Sequence, residues 1–138
     1  MKRKWMFIIV FIIVASLSGW MYYQYQKPRA DIHKVKTSYT MPAENIYQEF
    51  VANEAASNQK YVGKVLEIFG EVSDVQVTDN NAMVLLAVGN NTGGVNCSFL
   101  EKNIILPIIG QKIRVKGRCT GFLMDVHLSE AVVVNSGN

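Results

Sequence analysis

Gly110-Gln-Lys-Ile-Arg-Val-Lys-Gly-Arg-Cys-Thr-Gly-Phe-Leu-Met-Asp-Val-His-Leu128 contains two alternating runs joined at a Thr-Gly pair. In the first, Lys112, Arg114, Lys116 and Arg118 alternate with Ile113, Val115, Gly117 and Cys119. A period of two marks a strand with one wet face and one buried face. In the second, Met124, Val126 and Leu128 face one way, and Asp125, His127 and Ser129 the other. Thr120-Gly121 supplies turn chemistry between them, so the pattern predicts a hairpin.

Working back from the hairpin, three more strand-like runs precede it. Residues 64–78 are long for one strand, and Gly70 inside them marks a bulge or sharp bend. Asp79-Asn80-Asn81 is a turn, residues 82–88 are nearly all apolar, and the Asn- and Gly-rich stretch 89–94 is a second loop. Val95, Cys97 and Phe99 then alternate with Asn96 and Ser98. Residues 101–109 hold five Leu or Ile around Pro107, which suits a short helix or turn crossing a barrel. Five strands with a bent first one and a crossover between the third and fourth describe an OB-type Greek-key barrel, which closes its own edges.

Ahead of the strands, Ile46, Tyr47, Phe50, Val51 and Ala55 recur at helical spacing. Thr40 is the expected N-cap, Pro42 suits the first turn, Glu44 favours the helix N-terminus, and Asn58 with Gly63 ends the element. One amphipathic helix before a run of strands is an α+β signal.

The first quarter of the chain is different. Residues 5–23 carry no charge and reach about 28 Å as a helix, against a hydrocarbon core of about 30 Å. Trp5 stands at one end and Trp20, Tyr22, Tyr23 and Tyr25 at the other, as interfacial aromatic belts do. Residues 1–4 form a basic tip whose Lys2-Arg3-Lys4 places that end in the cytoplasm. A cleaved signal peptide is the competing reading. The apolar run continues past Ser16-Leu17-Ser18, however, and no Ala-x-Ala follows, which favours an uncleaved single-pass anchor. No Cys near the end of the run supports a lipid-modified N-terminus. Polar, cationic residues 24–40 read as a stalk, and 41–135 as the helix plus barrel domain, on the periplasmic or extracellular side of the cytoplasmic membrane.

The formal charge of +3 over 138 residues belongs to the tether. From Met41 onward there are seven Lys or Arg against ten Asp or Glu, an acidic domain that disfavours phosphate binding. The stripe Lys112, Arg114, Lys116 and Arg118 is the feature that invites an anionic partner, yet Glu67 and Glu71 on the neighbouring first strand could satisfy Arg114 and Lys116 locally. Cys97 and Cys119 share the inward parity. They could form a disulfide outside the cytoplasm or stand as small buried thiols. A metal site combining them with His127 or Asp125 would have no standard spacing. His33 and His127 lack a nucleophile–base arrangement, and Asn53-Glu54 is expected to bond to the adjacent loop. There is no phosphate loop, paired-carboxylate motif or Cys-x-x-Cys, so neither an enzyme nor a cofactor is expected.

Phe50-Val-Ala-Asn53-Glu54-Ala-Ala, Lys60-Tyr61-Val-Gly63-Lys64, Gly70-x-Val72 and Val95-x-Cys97-x-Phe99 occur in that order. With Val115-Lys-Gly117-x-Cys119-Thr-Gly-Phe-Leu-Met-Asp125-Val, the chain resembles the bacterial tRNA-anti-like family of OB-fold proteins over residues 46–134. The resemblance implies a small OB domain, often behind a signal or anchor, with no established activity. Many relatives carry a further Cys near the place this chain gives to Ala131. The haem chaperone of cytochrome c maturation is similar in architecture only. That family has a Tyr four residues after its haem-binding His, where His127 is followed by Ala131. The reading that follows is a membrane-anchored module for a protein or glycan partner, with nucleic acid or an anionic polymer on the basic strand as the alternative.

Overall fold

The strand Lys112–Phe122 has Ile113, Val115, Gly117 and Cys119 buried, while Arg114, Lys116 and Arg118 stay partly exposed, as the alternation requires. Around it, the computed structural model describes residues 2–26, 31–79, 81–89, 92–100 and 104–134. The elements are α1 Lys2–Tyr25, β1 Tyr39–Pro42, α2 Ala43–Ala52, α3 Glu54–Tyr61, β2 Val65–Thr78, β3 Asn81–Ala87, β4 Gly94–Phe99, β5 Lys112–Phe122 and β6 Val126–Val133. They form two units, Met1–Ala30 and Asp31–Asn138.

In the second unit the strand order is β1-β2-β3-β4-β6-β5, and β5 returns to β2, which closes a five-stranded OB-type barrel. β2 makes closure possible by changing partner along its length. Val65 to Glu71 pair with β5, and Val72 to Thr78 pair with β3 across a register shift between Val72 and Asp74. The irregularity therefore falls just after Gly70. A Cβ at Gly70 would come within 3.2 Å of the Ala43 Cβ, so Gly70 admits the start of α2. The barrel is filled by Leu66, Ile68, Val72, Val84, Leu86, Val95, Cys97, Phe99, Val115, Cys119, Val126 and Leu128. Phe50 and Tyr61 from the helices, both fully buried, join the same core.

Several expectations need correction. The hairpin between β5 and β6 turns at 123–125. Thr120 and Gly121 lie within β5, where a register shift between Cys119 and Gly121 uses the φ of +145° at Gly121. Met124 is exposed and does not share the buried face of Val126 and Leu128. Thr40 is not a helix cap. It lies in β1, which runs parallel to β2 with Thr40 opposite Glu67, and Pro42 is the N-cap residue. The four residues of β1 cover the edge of β2 ahead of the segment β3 takes up.

The single helix is two. Asn53, with φ −155°, breaks it, and its side chain accepts a bond from the Ala56 N–H at 3.1 Å to start α3. Val51 and Ala55, expected on the buried stripe, are exposed as a result. The stalk expected over 24–40 is partly folded, since Ile32 packs against Val65 and Val132. No helix is found at 104–109 among the described residues, and 101–103 lie outside them, as do Asn80 in the β2–β3 turn and 90–91 in the β3–β4 loop.

In the first unit, α1 is exposed along its length and, by length and composition, is able to cross a membrane. Its 24 residues span about 36 Å, longer at both ends than the uncharged run 5–23.

Candidate functional site

The basic stripe projects from the outer face of β5, and most of its charge is already engaged. The Arg114 Nη1 lies 2.9 Å from the Glu67 Oε1, diagonal to the strict register partner Phe69, whose ring the guanidinium covers. Arg118 donates from Nη1 to the Gly63 carbonyl at 3.0 Å, and its Nε lies 3.5 Å from the Glu130 Oε2. Glu130 has a φ of +54°, a region that non-glycine residues seldom adopt. Lys116 sits opposite Glu67 in register but donates to the His33 carbonyl at 3.4 Å. Lys112 faces Glu71 in register and stays exposed, with no bonded partner among the described residues. The sequence brings four cations to one face, and the fold spends three of them on its own oxygens.

OB barrels that bind single strands combine a basic groove with aromatics on which bases stack. Here the outer face of β3 and β4 carries Met83, Leu85, Asn96 and Ser98, with His127 next to Asn96 across the β4–β6 pairing. Among the described residues that face presents no cation and no phenyl, phenol or indole ring.

At one end of the barrel the β5–β6 loop is tied down by its own sequence. Phe122 stacks on Phe50 with ring centroids 5.4 Å apart and meets Tyr47 edge-on at 5.8 Å. The Asp125 Oδ1 accepts from the buried Gly94 N–H at 2.8 Å, and the Thr120 Oγ1 donates to the His127 carbonyl at 3.2 Å. A Cβ on Gly93 would stand 2.6 Å from the Met124 carbonyl, so the β3–β4 loop can approach only as glycine. The Cys-Thr-Gly-Phe-Leu-Met-Asp string is thus a structural clasp. Below the helices, the Glu49 Oε2 accepts from the Lys60 Nζ at 2.8 Å and the Tyr61 hydroxyl at 2.7 Å. These bonds hold the Glu49 carboxyl below its ordinary value, Lys60 first among the causes, and burial pushes the Tyr61 phenol up.

Cys97 and Cys119 are buried free thiols. Leu128 of β6 pairs with Cys97 on one side and Cys119 on the other. Two strand spacings amount to about 9 Å, beyond the Cα separation a disulfide spans. The possible bridge is therefore corrected to two separate core thiols. Burial pushes the Cys97 thiol up to about 12 and raises that of Cys119. No three His, Cys, Asp or Glu residues among those described gather to hold a metal.

The sequence reading missed the opposite end. Three adjoining clefts of about 390, 310 and 280 Å³ meet at Ile113, near the start of β5. Their walls come from His33, the start of α2, loop 104–107, Phe69 and Val133, which are far apart along the chain. The density of isoleucine around Pro107 is the one sequence signal that pointed there.

The fold defines the class: an OB-type barrel in a chain that begins with a long apolar helix. The tRNA_anti-like family profile matches residues 1–134, and the chain belongs to that family. Among solved structures, it is similar to a candidate nucleic acid-binding lipoprotein from Klebsiella pneumoniae subsp. pneumoniae MGH 78578, with 15% identity and a TM-score of 0.59 over 80% of this chain and 100% of that one. At that identity the likeness shows the fold alone. OBody AM3L09 bound to hen egg-white lysozyme is matched at 15% identity over 56% of this chain and 88% of that one, with a TM-score of 0.38. A candidate aspartyl-tRNA synthetase from Leishmania major Friedlin is matched at 12% identity over 89% of this chain and 27% of that one, with a TM-score of 0.48. Both scores are too low to bear on function. No curated protein matches the sequence.

Proposed function

We propose that this protein is a non-catalytic binding module held by a single-pass N-terminal anchor, with its barrel outside the cytoplasm, and that its partner is a protein or a glycan. The observation that carries the reading is the engagement of Arg114, Lys116 and Arg118 by Glu67, His33, Glu130 and Gly63 within the barrel. With Arg114 and Arg118 paired to carboxylates, the stripe has fewer counterions to release than four free cations would, and counterion release drives most affinity for nucleic acid. The uncharged β3–β4 face supports the same view. Lys2-Arg3-Lys4 at the start of α1 supports an inside N-terminus, and the lipoprotein name of the Klebsiella neighbour favours the cell envelope.

The alternative, an anionic polymer on β5, draws on that neighbour's nucleic acid-binding description. Passing the full chain in detergent over heparin and single-stranded DNA at low salt separates the two. The expected result is no retention that depends on Arg114 and Lys116. Salt-sensitive retention that disappears in Arg114→Ser/Lys116→Ser would replace the leading reading, whereas retention surviving in that variant comes from the cationic tether. For orientation, a phosphatase fused after Asn138 should be active, and a fluorescent protein that matures only in the cytoplasm should be dark.

A further inference from the structure

The loop between β4 and β5 exposes more apolar surface than a free loop has reason to. Ile105 is 95% exposed, Ile108 73% and Ile109 66%. Surface of this kind marks a contact with another protein or with a membrane. Its position selects between them. His33 and residues 104–107 line the same cleft, so the folded unit receives its tether beside this loop. Lys34 and Lys36 follow His33 in the chain and Lys112 follows the loop; all three are exposed, against the exposed Asp31 and Glu71, which leaves one more cation than anion for anionic headgroups.

We propose that the loop bearing Ile105, Ile108 and Ile109 inserts into the bilayer interface and gives the barrel a second membrane contact beside its tether. The proposal rests on the reading of α1 as an anchor. It fixes which end of the barrel faces outward. The strand β5 runs from Lys112 to Phe122, so the 123–125 loop stands about 33 Å from the inserted one. The outward end thus presents the β5–β6 clasp, with Leu123 84% exposed, as the surface free to meet a partner.

The test uses the full chain in nanodiscs of mixed zwitterionic and anionic lipid. An environment-sensitive fluorophore is placed through Ile108→Cys, and in a separate sample through Leu123→Cys. The native Cys97 and Cys119 are buried and leave labelling to the introduced site. The I108C probe should shift its emission to the blue and be quenched by lipids spin-labelled near the headgroup, while the L123C probe should do neither. An I108C probe that behaves like the L123C probe overturns the proposal. So does a blue shift without lipid quenching, which would mean burial against a second copy of the chain. Both tryptophans, Trp5 and Trp20, lie in α1, so intrinsic fluorescence reads the anchor separately. Quenched tryptophans with an unquenched I108C probe sink the loop contact and leave the anchor standing. Unquenched tryptophans sink both. Ile105→Cys, at the most exposed position of the loop, should repeat the I108C result.

Discussion

A single carboxylate joins two loops that come from different parts of the chain. The Asp125 Oδ1 receives the N–H of Gly94, a buried residue. Removing the acceptor strands that donor, and an unsatisfied buried N–H costs about 1–3 kcal/mol. Asp125→Ala should therefore lower the unfolding free energy measured by urea titration by that amount, while Asp125→Asn, which keeps an acceptor oxygen, should recover most of it. Equal losses in the two variants would mean that the negative charge matters more than the bond. Cys97 allows a test of burial by pH. Its thiol stays protonated to about 12 in the folded barrel, against an ordinary value of 9.0 once exposed. Between those values the unfolded chain gives up a proton that the folded one keeps, so the contribution to stability falls as pH rises. The stability of the wild type relative to Cys97→Val should decline through that window, as urea titrations at pH 8, 9 and 10 would show. A constant difference would place the thiol in contact with solvent.

Elements whose pattern is local were legible before any coordinates, and those set by a distant partner were not. β5 and β4 have one dry face each, so their period of two survives in the chain, and the stripe Ile46, Phe50 is a helix face for the same reason. β1 is four residues ending in Pro42, and what makes it a strand is the vacant edge of β2 between Leu66 and Phe69, more than twenty residues away. Thr120-Gly121 carried turn chemistry, but the register between β5 and β6 uses that glycine for a shift within the strand. The stripe on β5 was readable as four cations. Only Glu67 among its partners could be anticipated, because His33, Gly63 and Glu130 reach it through tertiary structure. The break at Asn53 hid in the Ala-rich surroundings of a helix former's sequence, and its cap bond to Ala56 satisfies one of the first amide donors of α3. Asn53→Ala should cost about 1 kcal/mol, and Asn53→Asp should be close to neutral. If Asn53→Ala were instead stabilising in a thermal melt, the two helices would prefer to run on as one.

At the scale of the whole molecule, closure and tether divide the second unit into parts of unequal strength. β2 to β6 form a cycle in which every strand has a neighbour on both sides over much of its length. β1 stands outside the cycle, and β2 is the one strand it pairs with among the described residues, in parallel, by four residues, with Tyr39 edge-on to the Tyr61 ring. Ahead of β1 the small cluster of Ile32, Val65 and Val132 fastens the entering chain to the barrel wall. Local opening takes the least free energy where few apolar contacts and few bonds must be lost together. Native-state hydrogen exchange should therefore find the amides of β3 and β4 exchanging only with global unfolding, and those of β1 through a smaller opening at lower free energy. Ile32→Ala should lower the β1 value further, while leaving β3 and β4 nearly unchanged. Should β1 and β4 exchange at the same free energy, the edge strand belongs to the cooperative core.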